Sequence, residues 1–161
     1  MKLLPYAFFV LLSQASFLHG HEVTFKDILI KHPIIPVFGG HMKTAAGYMS
    51  ITNSSNVQER IMGVKANFAT AMIHKSSEDT DGVVRMEHIK EVTIPANSTI
   101  KFEQGGLHIM FVNLEEKLEP FVDQQVTLIF EKAGEFSITF MVEEAKNGSK
   151  MDMDHNKDHE Y

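Results

Sequence analysis

The chain has 161 residues, 43% of them hydrophobic, and a formal charge of −6. That length and apolar content suit one domain with an ordinary core, and an acidic balance with no basic stripe argues against nucleic-acid binding. The chain has no cysteine, which excludes disulfides, cysteine zinc sites, thiolate copper centres and thiol catalysis; ten methionines and nine histidines are many for this length.

The N-terminus reads as an address. A positive start, Met1-Lys2, precedes the apolar run Leu3 to Leu12, which is the pattern of a secretory signal peptide over residues 1–20 and too short for a membrane span. Cleavage is expected after Ala15 or Gly20, with Gly20 favoured because a charged, strand-like segment begins soon after. Removing residues 1–20 takes away Lys2 and leaves a charge of −7. The expected product is periplasmic, with no stable membrane insertion, and begins at His21. A free amine beside that imidazole chelates Cu(II) in some copper oxygenases.

Short strands then follow one another. Val23 to Lys31 reads as the first, and His32-Pro33-Ile34-Ile35-Pro36 is expected to break it, since proline cannot continue a ladder. Gly39-Gly40-His41-Met42 is a loop. Thr44 to Thr52 is a strand closed by the turn Asn53-Ser54-Ser55-Asn56, and Ile61 to Ala66 returns. Ala71 to His74 is short and extended. Lys75 to Gly82 is read as a polar turn with an Asp-Gly close, and Val83 to His88 returns from it. Glu91 to Ile94 is a strand stopped by Pro95-Ala96-Asn97. Thr99 to Glu103 leads through Gln104-Gly105-Gly106 into Leu107 to Val112. After a connection carrying Pro120, Val126 to Phe130 and Glu135 to Met141 form a hairpin around Lys132-Ala133-Gly134. With no sustained helical periodicity, this series of short strands and turns predicts an all-β antiparallel sandwich.

The chemistry lies in three pairs. In Leu107 to Val112, period-two alternation puts Leu107, Ile109 and Phe111 on one face and His108 and Met110 on the other. Imidazole with thioether, and no thiolate, favours Cu(I) over zinc. One such pair is commonly chance, and methionine commonly fills cores. Met72/His74 and Met86/His88 repeat the spacing, and three pairs are harder to assign to packing. A hairpin symmetric about Thr80 would set Met86 directly opposite His74, whereas a two-residue Asp81-Gly82 turn would give another register. Periodicity leaves open which four side chains converge.

Several segments resemble the PCuAC family of periplasmic copper chaperones. They are Thr44 to Met49, the His74 strand, Gly82 to Met86, Pro95-Ala96, Gly105 to Met110 and Leu128 to Gly134, so the resemblance runs from about Thr24 to Val142. It implies a cupredoxin-like Greek-key β-sandwich over residues 21–142 that binds one Cu(I), and the family pattern H-x10-M-x21-H-x-M carries over to His74, Met86, His108 and Met110. This chain has eleven residues between His74 and Met86, and the extra one is assigned to the polar turn, where insertions are tolerated. The implied role is a monomeric, non-enzymatic metallochaperone. Its implied recipient is a cuproprotein such as a cytochrome c oxidase subunit, or another copper chaperone. Thioethers suit that role, because they need no deprotonation and form no disulfide in an oxidising compartment.

Residues 143–161 are polar and charged and are expected to be a disordered tail. Met151, Met153, His155 and His159 in it make a candidate second site, for Cu(II). His41-Met42 is a candidate auxiliary pair. The competing readings are a copper storage or scavenging protein, a copper oxygenase using His21, and a sandwich that mediates protein contacts.

Overall fold

The alternation in the sequence becomes eleven strands and no helix in the computed structural model, which describes residues 22–39 and 42–145. They are β1 Glu22–Phe25, β2 Ile28–Val37, β3 Thr44–Asn53, β4 Glu59–Ala66, β5 Thr70–Glu78, β6 Val84–His88, β7 Val92–Ile94, β8 Ser98–Phe102, β9 Leu107–Val112, β10 Gln124–Phe130 and β11 Gly134–Glu144. The signal-peptide reading, His21, His41 and the Met/His tail from Met151 onward lie outside the described residues.

One layer runs β6-β5-β9-β3-β2, with β8 paired to β3 and β1 to β2; the other runs β11-β10-β4-β7. β11 belongs to both. Its first half pairs antiparallel with β10 (Phe140 opposite Gln124), and its second half pairs parallel with β2 (Met141 opposite Ile34). The two layers close over Ile30, Ile51, Ile61, Phe111, Leu128 and Phe140, all essentially buried. The fold is thus the all-β sandwich the strand pattern predicts.

Three local features differ from the sequence reading. β2 continues through Pro33 and does not break there. His32 takes a positive φ of 51° and the pairing with β3 slips by one residue between Lys31 and Ile34. The bulge absorbs the proline, whose missing N–H costs nothing where the ladder is already interrupted. It also flips the strand, so that Ile28 and Ile30 point inward before it and Pro33, Ile35 and Val37 after it. β11 extends through Glu143 and Glu144, which lie opposite Pro36 and Val37 of β2.

The third difference bears on chemistry. Lys75 to Glu78, polar enough to read as turn, are strand: β5 reaches Glu78, and Asp79 to Val83 make the turn. Asp79 ties it together. Its Oδ1 accepts the N–H groups of Asp81 and Val83 at 3.0 Å each, and its Oδ2 accepts from Arg85 at 3.2 Å. Those bonds, the Val83 bond foremost, hold its carboxyl below the ordinary aspartate range. The polar stretch remains a strand because the β5–β6 hairpin projects past the core, with every residue of β6 exposed.

Candidate metal centre

Pairing decides which of the three Met/His pairs meet. β5 is the central strand: it pairs antiparallel with β9 on one side and β6 on the other. Opposite Met72 on β9 stands Met110, and opposite His74 stands His108. On β6, His88 stands opposite His74, and Met86 opposite Ser76. Directly opposed residues have Cβ atoms about 4.5 to 5.5 Å apart. Ile73 and Ile109, the alternate residues, point into the core. Met72, His74, Ser76, Met86, His88, His108 and Met110 therefore share one face of the sheet, turned away from that core.

His74 is the centre of this array. Its ring lies 5.9 Å from the His108 ring and 5.8 Å from the His88 ring, centroid to centroid. A metal–nitrogen bond of about 2 Å, with a ring nitrogen about 1 Å from its centroid, allows two imidazoles on one ion to have centroids up to roughly 6 Å apart. Either neighbour can thus share an ion with His74. The expectation that Met86 faces His74 directly is not met. The hairpin is symmetric about Asp81 and not Thr80, with Glu78 opposite Val84, so His88 takes that place. Met86 lies one strand across and one two-residue step along, a diagonal of about 7 to 8 Å that a long side chain can span. Met110 lies on the far side of His74, so Met86 and Met110 approach an ion there from opposite ends of the array.

The nitrogen environments suit an electrophile. His108 is 4% exposed, and its Nδ1–H donates to the Gly106 carbonyl at 3.1 Å. That bond fixes the tautomer and leaves Nε2 with a free lone pair, the arrangement typical of metal-ligating histidine. His74 Nδ1 is buried with no hydrogen-bond partner. A buried polar atom left unsatisfied costs about 1 to 3 kcal/mol, and a metal ion would remove that penalty. Burial holds the His74 imidazole below the ordinary histidine value, and the neighbouring His108 and His88 add to the effect. The ring is therefore the neutral, ligating form over a wider pH range.

The donor set is soft. Among the described residues, no three His, Asp or Glu side chains stand together so as to hold an ion by themselves, so nitrogen and oxygen alone do not complete a site here. Three thioethers, Met72, Met86 and Met110, are on hand to add to the imidazoles, and no carboxylate lies among the seven residues of this face. Low charge, sulfur and imidazole match Cu(I) and not a hard cation. Met72 gains its place opposite Met110 from pairing of strands far apart in sequence, and His88 gains its place opposite His74 from the register of the β5–β6 hairpin; the signal for both was the repeated Met/His spacing.

Comparison with known proteins follows the same line. A family model described as LpqE-like matches residues 23–142. A search of curated proteins finds no match. Among solved structures, the chain is similar to a copper-bound PCuAC domain from PmoF2, at 28% identity and a TM-score of 0.64 over 78% of this chain and 99% of that one. It is similar to an apo PCuAC domain from PmoF1, at 24% identity and a TM-score of 0.68 over 78% of this chain and all of that one. A solution structure of Cu(I)-DR1885 from Deinococcus radiodurans shares the fold at 20% identity and a TM-score of 0.58, over 84% of this chain and 89% of that one.

Proposed function

The chain belongs to the LpqE-like family, and from that membership and the His74 face we propose that it is an exported carrier of Cu(I) that delivers its ion to client cuproproteins. His74, His108 and Met110 hold the ion from the inner strands, and Met86 supplies a second thioether from the edge hairpin. The observation that carries the reading is His74 Nδ1, buried without a partner between two imidazoles on a face lined with thioethers. The copper-bound PCuAC domain from PmoF2, alike in fold and 28% identical, supports it.

Copper is cargo here, so the residues need only bind and release it. His108 is pre-oriented by the Gly106 carbonyl. Neutral ligands bring no charge that would trap the ion against an acceptor. The recipient we assign is the one the family resemblance implies, a copper centre of cytochrome c oxidase or a further copper chaperone, and the compartment is the periplasm.

An anaerobic Cu(I) competition titration against a chromogenic chelator tests this. It needs the full chain, a form ending at Ala145, and that form with His108→Ala and Met110→Ala. One tightly bound Cu(I) in the first two, weakened at least a hundredfold in the third, is the expected result. Loss of tight binding in the shortened form with its fold intact would move the site to the Met/His tail.

A further inference from the structure

His88 has no place in the four-residue set, yet its position mirrors that of His108. The two lie on either side of His74, at the same register level and at nearly the same ring distance, 5.8 and 5.9 Å. They differ in access. His108 is 4% exposed within the sheet, whereas His88 is exposed on β6, the strand at the end of the sheet order. Met86, 54% exposed, stands two residues before it on the same face. The array therefore holds an inner donor set, His108 with Met110, and an outer one, His88 with Met86, and His74 stands between them.

We propose that His88 is an exit ligand for the ion. It rests on the Cu(I)-carrier reading above and adds a route to it. The ion pivots on His74 and Met86. The bonds to His108 Nε2 and Met110 sulfur break, and one bond from a ring nitrogen of His88 forms. Copper remains Cu(I), both imidazoles are neutral, and no electron or proton moves. The outer state has three protein ligands, leaving a coordination position open at the edge where an acceptor's thiolate, thioether or imidazole can enter. The inner state stores the ion away from solvent, and the outer state presents it. Direct dissociation from the inner state would break all of its protein–copper bonds with no replacement, whereas the pivot breaks two and replaces one.

The test separates rate from affinity. Full-length protein loaded anaerobically with one Cu(I) is mixed in a stopped-flow instrument with a chromogenic Cu(I) chelator, and equilibrium competition is measured in parallel. For His88→Ala the expected outcome is a transfer rate at least tenfold lower with an equilibrium affinity changed less than threefold. His88→Met, which restores a soft donor, is expected to recover most of the rate. An unchanged rate in His88→Ala overturns the proposal. An affinity loss as large as that of His108→Ala also overturns it, by making His88 a resident ligand. Should wild-type protein fail to bind Cu(I) at all, the carrier reading itself fails, and the equilibrium arm shows which of the two has gone.

Discussion

At the scale of single residues, His74 carries a cost that a bound ion would remove. Its buried, unpartnered Nδ1 is an unfavourable feature of the metal-free protein. Replacing it with an apolar side chain of similar size removes that feature. His74→Leu is thus expected to leave the metal-free protein as stable as wild type, or up to about 1 kcal/mol more stable, while weakening Cu(I) binding at least a hundredfold. Chemical denaturation and the chelator titration read the two effects. The pH dependence has a definite sign. The folded-state value of His74 lies below its ordinary 6.5, so the unfolded chain binds the proton more readily. Stability is present above pH 6.5, falls as the pH drops below it, and levels off beneath the folded value. The leucine variant should show a shallower fall over that window. A steeper fall in the variant would contradict the account.

At the scale of elements, the metal face depends on β9 keeping its place between β3 and β5. Gly47 on β3, opposite Ile109, permits this. A Cβ there would stand 2.9 Å from Phe111 Cε2 and 3.0 Å from Phe140 Cε1, closer than carbon atoms pack. Both rings are fully buried, so neither has room to withdraw. Gly47→Ala should therefore cost about 1 to 3 kcal/mol by overpacking, seen as a lower denaturant midpoint. It should also weaken Cu(I) binding, because Phe111 adjoins Met110 on the displaced strand. An alanine variant with wild-type stability would mean that the two rings repack freely. The elements also show what could be read in advance. Period two is a local property, so the three Met/His pairs and the faces they occupy were legible. Their convergence on one face was not, since it depends on pairing of β5 with β9 across more than thirty residues. The register of the β5–β6 hairpin was misread for a physical reason. Turn-like composition in Lys75 to Glu78 reflects a strand end that leaves the core, with Lys75, Ser77 and Glu78 exposed and Ser76 buried, and its polarity has nothing to do with chain reversal. The bulge at His32 was hidden likewise, because a proline signals a broken ladder and not whether the strand resumes.

At the scale of the whole molecule, the ion should report on the entire sandwich. Both layers share one core and one strand, β11, so binding at one face stabilises all of it. With free Cu(I) buffered at about a hundred times its dissociation constant, unfolding should cost about 2.7 kcal/mol more. A domain of this size would then melt roughly 8 °C higher, in a single transition. An anaerobic thermal scan followed by circular dichroism checks it. A second transition, with only part of the signal moved by copper, would show that the β5–β6–β9 side melts independently. The fold class followed from strand spacing, whereas the sharing of β11 between layers, which sets this cooperativity, left no mark in the sequence.

That shared strand also imposes an order in time. β11 is the last of the described strands to be made, yet it closes the sandwich by lying beside β2, one of the first, and beside β10. Until residue 144 has emerged, Ile34 to Val37 of β2 lack their β11 partner, and until Phe140 has emerged it is missing from beside Phe111 on β9. If the chain is exported unfolded, as the proposed reading implies, it cannot assemble the His74 face piecemeal. On the carrier reading proposed above, copper is loaded only after the whole domain has arrived, so the compartment that receives the finished polypeptide would be the compartment whose copper it carries.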